Sequence, residues 1–169
     1  MPGMAAQVRR WFVWARDLEH RRRVTLLRAA PVFTGLPRRL LTRLAIRFFE
    51  KAYVSGDVVF HTGEPGKALF VVAEGEVAIA RAGAAGDERV LRTVGPGGCF
   101  GEMALIDDFP RSATARVTAP SRLLLLYKSD FDQLIEGHPR IAQVALRNLL
   151  HLLAMYVRTA TPPAVDGAP

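Results

Sequence analysis

Hydrophobic positions change their period three times along the chain. From Gln7 to Ala29, the residues Val8, Trp11, Phe12, Ala15, Leu18, Val24 and Leu27 recur at helical spacing with arginines on the other face, which predicts an amphipathic helix or a helix pair. After Thr34-Gly35-Leu36-Pro37, a second helical pattern of Leu40, Leu41, Leu44, Ala45 and Phe48 runs to about Phe49. From Tyr53 the pattern predicts short strands: Val58 to His61, Leu69 to Ala73, Val77 to Arg81, Val90 to Val94, Thr114 to Val117 and Arg122 to Lys128. Gly83-Ala84-Ala85-Gly86-Asp87 reads as an exposed hairpin loop and Gly95-Pro96-Gly97-Gly98 as a tight turn. Strands at this spacing predict a β-roll or barrel.

Helical spacing returns near Ser129-Asp130, with Ser129 as the expected N-cap, and resumes after His138-Pro139. Between Ile141 and Val157 the apolar residues Ile141, Val144, Ala145, Leu146, Leu149, Leu150, Leu152, Leu153, Met155 and Tyr156 cover more than one face. A helix packed on one side has no use for so many, so a ligand, the N-terminal helix or a second subunit is expected to cover the remainder. The tail from Pro162 to Pro169 reads as disordered.

The segment from Gly101 to Thr114 sets one carboxylate, Glu102, and one guanidinium, Arg111, nine residues apart in a small and mostly apolar stretch. Gly101 permits close backbone approach, and Glu102 to Leu105 read as one short helical turn whose N–H groups suit an anion. Pro110 pushes Phe109 toward an extended conformation and so directs Arg111. The guanidinium offers a planar fork of donors for phosphate oxygens, while Glu102, flanked by apolar neighbours, needs donors that sugar hydroxyls would supply.

Phe100-Gly101-Glu102 followed by Arg111-Ser112-Ala113-Thr114 resembles the phosphate-binding cassette of cyclic nucleotide-binding domains. The resemblance extends from about Leu27 to about Val157: Ala30-Pro31-Val32-Phe33 with Leu36 is similar to the family's entry helix and turn, Gly56-Asp57 and Gly63 to its early turns, and Glu74-Gly75-Glu76-Val77 to its middle strand. It implies an α+β fold, an antiparallel, jelly-roll-like β-roll flanked by N-terminal helices and a C-terminal lid helix. The implied divisions are a basic helical segment over 1–30, the nucleotide-binding domain over 31–158 (roll at about 51–128, helices at 129–158) and the tail over 159–169. The implied ligand contacts are Phe100, Gly101, Glu102, Met103, Ala104, Arg111, Ser112 and Ala113, with Leu149, Leu153 and Tyr156 as lid candidates over the base. Ser112 stands where a family hydroxyl meets either the phosphate or a syn guanine. Cyclic AMP is favoured and cyclic GMP is the alternative.

Composition sets limits on other functions. The 169 residues suffice for one domain burying roughly two-thirds of its unfolded surface. No charge-free run of 18 apolar residues occurs and Met1 to Ala6 is no signal peptide, so a cytoplasmic protein is expected. The single Cys99 excludes an internal disulfide and reads as a buried core residue. His20, His61, His138 and His151 lack ligand spacing, and neither a metal nor a further cofactor is expected. The net charge of +7 divides into +9 for residues 1–51 and −2 for residues 52–169. The basic part could meet nucleic acid, anionic lipid or an acidic partner, though a solvated arginine-rich face is the plainer reading. Trp11, Phe12 and Trp14 beside Arg9, Arg10 and Arg16 also resemble an interfacial membrane helix, with packing favoured.

Three kinds of function follow. A sensor binds the cyclic nucleotide in the roll, closes the C-terminal helix and signals to a protein partner or a second copy. A DNA-binding regulator of the catabolite-activator type needs a helix-turn-helix after the lid, which the remaining dozen or so residues leave no room for, so no sequence-specific DNA binding is expected. An enzyme needs a nucleophile–base pair or a metal constellation, and none stands out, so no catalytic residues are assigned. Within the same fold, a ligand-free docking domain and the soluble regulatory domain of a cyclic-nucleotide-gated channel are the alternatives. A cyclic mononucleotide of about 22 heavy atoms at roughly 0.3 kcal/mol each gives a dissociation constant near ~10 μM or tighter.

Overall fold

A single helix, α1 (Met4–Ala29), forms the start of the chain where a helix or a pair was expected. The computed structural model describes the backbone of residues 4–83 and 88–160 and the side chains of 17–83 and 88–159. The aromatic side chains of Trp11, Phe12 and Trp14, the loop at 84–87 and the tail from Pro162 lie outside the described residues. Val24 and Leu27 of α1 are buried, and a 3-10 turn at Pro31–Phe33 leads to α2 (Arg38–Ala45). Pro37 stands at the N-cap of α2, where its missing N–H costs nothing.

Six antiparallel strands follow: β1 (Phe49–Tyr53), β2 (Val58–Phe60), β3 (Ala68–Ala82), β4 (Glu88–Val94), β5 (Cys99–Phe100) and β6 (Thr114–Tyr127). They pair in the order β1-β6-β3-β4, with β2 on β6 and β5 on β3. The chain closes with α3 (Lys128–Gly137) and α4 (Pro139–Ala160). This is the antiparallel roll with flanking helices that the sequence implied. Two details differ. Tyr127, with no side-chain bond, is the N-cap of α3 in place of Ser129, because β6 runs directly into the helix. Four of the expected short strands are two long ones, β3 and β6, which cross each other along most of their length.

The long strands survive a break in alternation because each carries bulges where they pair. Register shifts flank Gly75, whose φ of 82° lies in the left-handed region. A Cβ there would lie 2.2 Å from Ser121 Oγ and 2.3 Å from the Pro120 carbonyl, so glycine alone fits. Between bulges, the two-residue period divides the side chains between two cores. Leu69, Val71 and Ala73 of β3, with Leu124 and Leu126 of β6, face a helical core built on Leu27, Phe33, Leu41, Phe131, Ile141 and Leu149. Phe70 and Val72, with Leu123 and Leu125, face the roll interior beside Phe60, Phe100 and Val117. Burial on both faces explains why Leu69 to Ala73 and Leu123 to Leu126 are continuous apolar runs.

The C-terminal helix is fastened to the helical core by one stripe. Ile141, Ala145, Leu149 and Leu152 are buried, and Asn148 Nδ2 donates to the Val32 and Thr34 carbonyls at 3.0 and 2.9 Å. Leu146, Leu150, Met155 and Val157 remain exposed, which is the surplus apolar surface the sequence showed. Part of the basic face of α1 is paired within the chain: Arg22 with Glu74, and Arg23 (3.1 Å) with the largely buried Glu50, which Arg122 of β6 also pairs with. None of the described helices is long and apolar enough to cross a membrane.

Candidate functional site

The cassette residues gather at the mouth of the roll. Phe100 ends β5, pairs with Phe70 of β3, and stacks on it with ring centroids 5.1 Å apart and planes at 7°. Phe60 of β2 completes an aromatic cluster, 5.9 Å from Phe100. Gly101 then turns the chain with φ 72° and caps a 3-10 turn over Glu102–Leu105, which Ala104 N closes onto the Gly101 carbonyl at 3.2 Å. This left-handed turn follows from glycine at that one position, since a Cβ would sit 2.6 Å from the Arg111 guanidinium.

Arg111 returns to this turn from the other side of the roll. Its own backbone is fixed by a second turn: Gly63 N donates to the Arg111 carbonyl at 2.9 Å and Arg111 N donates to the Glu64 carbonyl at 2.8 Å. Thr114 Oγ1 accepts from Thr62 N at 3.1 Å, which ties the start of β6 to the same turn. The side chain is buried, with its guanidinium carbon 4.1 Å from the centre of the Phe60 ring. Nη1 donates to the Gly101 carbonyl at 3.0 Å and Nη2 to the Ala68 carbonyl at 2.8 Å. Two donors are thus spent on the scaffold, and the buried Nε has no partner. Burial pulls the Arg111 pKa below its usual value, against the opposing pull of Glu102 and Glu64.

Glu102 is buried at 5% exposure and its Oε2 accepts no hydrogen bond. Among the described residues, only Arg92 of β4 comes within ion-pair range of it, at 3.8 Å. A desolvated carboxylate oxygen without a donor is costly, and so is a desolvated guanidinium N–H, so the two orphaned atoms can take up a group that has both donors and acceptors. Ala104 and Ala113 are buried beside them, whereas Met103 and Ser112 are exposed. The Ser112 carbonyl accepts from Arg81 Nε at 3.0 Å. The sequence thus brings Phe100, Gly101, Glu102, Ala104, Arg111 and Ala113 together.

A cavity of about 350 Å³ is lined by Pro31, residues of β4 and the Gly95 to Gly98 turn, Cys99, and Leu152 and Tyr156 of α4; none of Phe100 to Ala104 or Arg111 to Ala113 lines it, and its link to the cassette is Arg92, which reaches Glu102. The lid candidates separate here. Tyr156 lines the cavity, Leu149 is fully buried in the helical core instead, and Leu153 is half-buried and does not line it. Leu152, one helical turn beyond Leu149, lines the cavity together with Tyr156. Burial raises the Tyr156 phenol pKa above its usual range, and the neighbouring Glu102 carboxylate adds to the shift. Arg92, which the sequence reading passed over, reaches both Glu102 and the Tyr156 ring. Its only sequence signal is its place two residues before Val94, on the inward face of β4. Cys99 is buried as expected, and burial together with Glu102 pushes its thiol up to about 12. No cluster of three or more metal-ligating side chains occurs among the described residues.

An antiparallel roll with a glycine-hinged turn, a buried acid and a buried arginine beside that turn, and a C-terminal helix whose Tyr156 neighbours the acid defines a class of small-ligand-binding regulatory domains. The chain belongs to the cyclic nucleotide-binding domain family, whose model matches residues 50–138. It is 38% identical over 135 residues to the cyclic AMP receptor protein of Thermus thermophilus, an alignment covering 79% of this chain and 60% of that protein. It is also 34% identical over 125 residues to a cyclic nucleotide-gated potassium channel of Mesorhizobium japonicum, covering 74% of this chain and 33% of the channel. Among solved structures, the N-terminal domain of a transcriptional regulator from Streptomyces coelicolor superposes with a TM-score of 0.72 at 32% identity, covering 85% of this chain and 99% of that one. The chain thus spans no more than 60% of the length of these two curated relatives.

Proposed function

We propose that this chain is a cyclic nucleotide sensor, with cyclic AMP as its preferred ligand, in which the phosphate sits at the Gly101–Arg111 turn and the ribose at Glu102. The observation that carries this reading is the pair of buried orphaned atoms at the cassette, Glu102 Oε2 and Arg111 Nε; Arg92 and Tyr156, the neighbours of Glu102, also line a cavity of about 350 Å³. A cavity of that size falls within the range of small-molecule sites. Residues Phe100, Gly101, Met103, Ala104, Ser112 and Ala113 shape the phosphate turn, and Tyr156 with Leu152 forms the part of the lid that meets the base. Glu102 and Arg111 bind the ground state, so the nucleotide is held and not turned over. Closure of α4 changes the exposed face carrying Leu146, Leu150 and Val157, which a protein partner or a second copy of the chain reads. The relatives' printed activities support cyclic AMP more than cyclic GMP.

Isothermal titration of the nucleotide-stripped protein with cyclic AMP, GMP, CMP and UMP tests the reading. Saturation near one ligand per chain with cyclic AMP tightest is expected. A folded, empty protein that takes up none of the four is instead a docking domain of the same fold.

A further inference from the structure

The cavity has one charged lining residue for which neither the family resemblance nor the cassette supplies a role. Arg92 lies on the inward face of β4, two residues from the buried Val94. Next to it, the pairing of β3 with β4 steps from Ile79↔Arg92 to Ala80↔Val90, leaving Leu91 as the extra residue of a bulge. Bulges re-aim side chains next to sites, and here Val90 is turned out to 55% exposure while Arg92 stays over the cavity. The guanidinium makes three contacts there. Nη2 approaches Glu102 Oε2 at 3.8 Å, Nη1 donates to the Cys99 carbonyl at 3.3 Å, and the guanidinium carbon lies 5.7 Å from the centre of the Tyr156 ring. One planar cation therefore touches the backbone that leads into the cassette, the buried carboxylate and the aromatic ring of the helix above it.

We propose that Arg92 is a positioning residue for the sugar: it holds the Glu102 carboxylate toward the ribose 2′-hydroxyl and, through its face against Tyr156, couples occupation of the sugar subsite to α4. The proposal rests on the cyclic nucleotide reading of the site. At 3.8 Å the pair is looser than a charge-assisted hydrogen bond, so a 2′-hydroxyl can donate to Glu102 without first breaking a tight ion pair. Arg92 remains close enough to fix the carboxylate's rotamer, and its guanidinium also lies against the Tyr156 ring of α4. A 2′-deoxy ligand has nothing for the carboxylate to accept, so the contribution of Arg92 to binding disappears with the hydroxyl.

The test compares a cyclic nucleotide with its 2′-deoxy analogue, by calorimetry, on wild type, Arg92→Gln, Glu102→Ala and the double variant, each checked for fold by circular dichroism. Arg92→Gln is expected to weaken the parent nucleotide by about tenfold and the 2′-deoxy analogue by less than about twofold, in line with loss of one charge-assisted positioning contact. The double variant should bind the parent no more weakly than Glu102→Ala alone. Hydrogen exchange supplies the lid readout: the parent should protect α4 amides around Tyr156 more than the analogue does, and Arg92→Gln should remove that difference. Arg92→Lys keeps the charge without the planar fork, and partial rescue confined to the parent is expected. It also carries the comparison if Arg92→Gln fails to fold. Equal losses for the two ligands, or additive losses in the double variant, overturn the proposal while leaving the nucleotide reading intact. A folded wild type that binds no cyclic nucleotide overturns both.

Discussion

Arg111 shows how one residue can be held by the scaffold and still serve the proposed phosphate site. Two of its five N–H groups hold the Gly101 and Ala68 carbonyls, and its flat face lies on Phe60, so the arginine is ordered before any phosphate arrives. Arg111→Leu should therefore cost about 2–3 kcal/mol of ligand binding, a roughly 30- to 150-fold loss by titration, and also lower the melting temperature by removing its two hydrogen bonds to the Gly101 and Ala68 carbonyls. A loss below about twofold would remove the phosphate assignment. Glu102→Ala should weaken a ribonucleotide far more than its 2′-deoxy analogue, and equal losses would count against the ribose role. Cys99 gives a pH prediction. Its thiol ionises near 9.0 when unfolded and only near about 12 in the fold, so the folded state keeps the proton longer. Its contribution is fully present below 9.0 and is lost as pH rises toward about 12, at a slope approaching 1.4 kcal/mol per pH unit. Urea midpoints measured across that range should fall more steeply for wild type than for Cys99→Ala. Of the site residues, Glu102 and Arg111 were legible because charge in an apolar segment demands a partner. Arg92 was not, because its meaning depends on a bulge and on a helix more than sixty residues away.

At the scale of elements, β3 and β6 carry the architecture, and Gly75 is where they cross with no room to spare. Gly75→Ala demands a left-handed backbone and places a methyl against Ser121 Oγ and the Pro120 carbonyl. A loss of about 2–4 kcal/mol is expected in denaturant unfolding, with the ligand-binding stoichiometry of the surviving folded fraction unchanged. An unchanged midpoint would mean that the two strands slide apart at little cost. Short helices and strands with their own period were readable, as α2, β2 and the separate halves of β3 and β6 show. β1 was hidden because Phe49-Glu50-Lys51-Ala52-Tyr53 has no apolar alternation of its own and is a strand only through its pairing with Leu125 to Ser121. β5, two residues long, exists only against Phe70 and Val71. Local patterns cannot report a strand whose hydrogen bonds are all made at a distance.

For the whole molecule, ligand binding and folding are linked. At a nucleotide concentration one hundred times the dissociation constant, binding adds about 2.7 kcal/mol, which in a domain of this size raises the melting temperature by roughly 5–10 °C. Scanning calorimetry with and without cyclic AMP should show that shift in one transition, and no shift would contradict specific binding. The two cores share β3 and β6, so a single transition is expected. By itself, the sequence determined the order of the helices and of the strands that have a period of their own, the cassette and its two charges, and the surplus of apolar residues on the last helix. These are properties of periods and neighbours, which are local. Tertiary structure alone decided which face of α4 meets the cavity, so that Leu152 and Tyr156 line it and Leu149 does not, and it alone set Arg92 beside Glu102. The helix angle and the strand bulge that decide those contacts arise from packing between segments distant in the chain, and no residue carries that information singly.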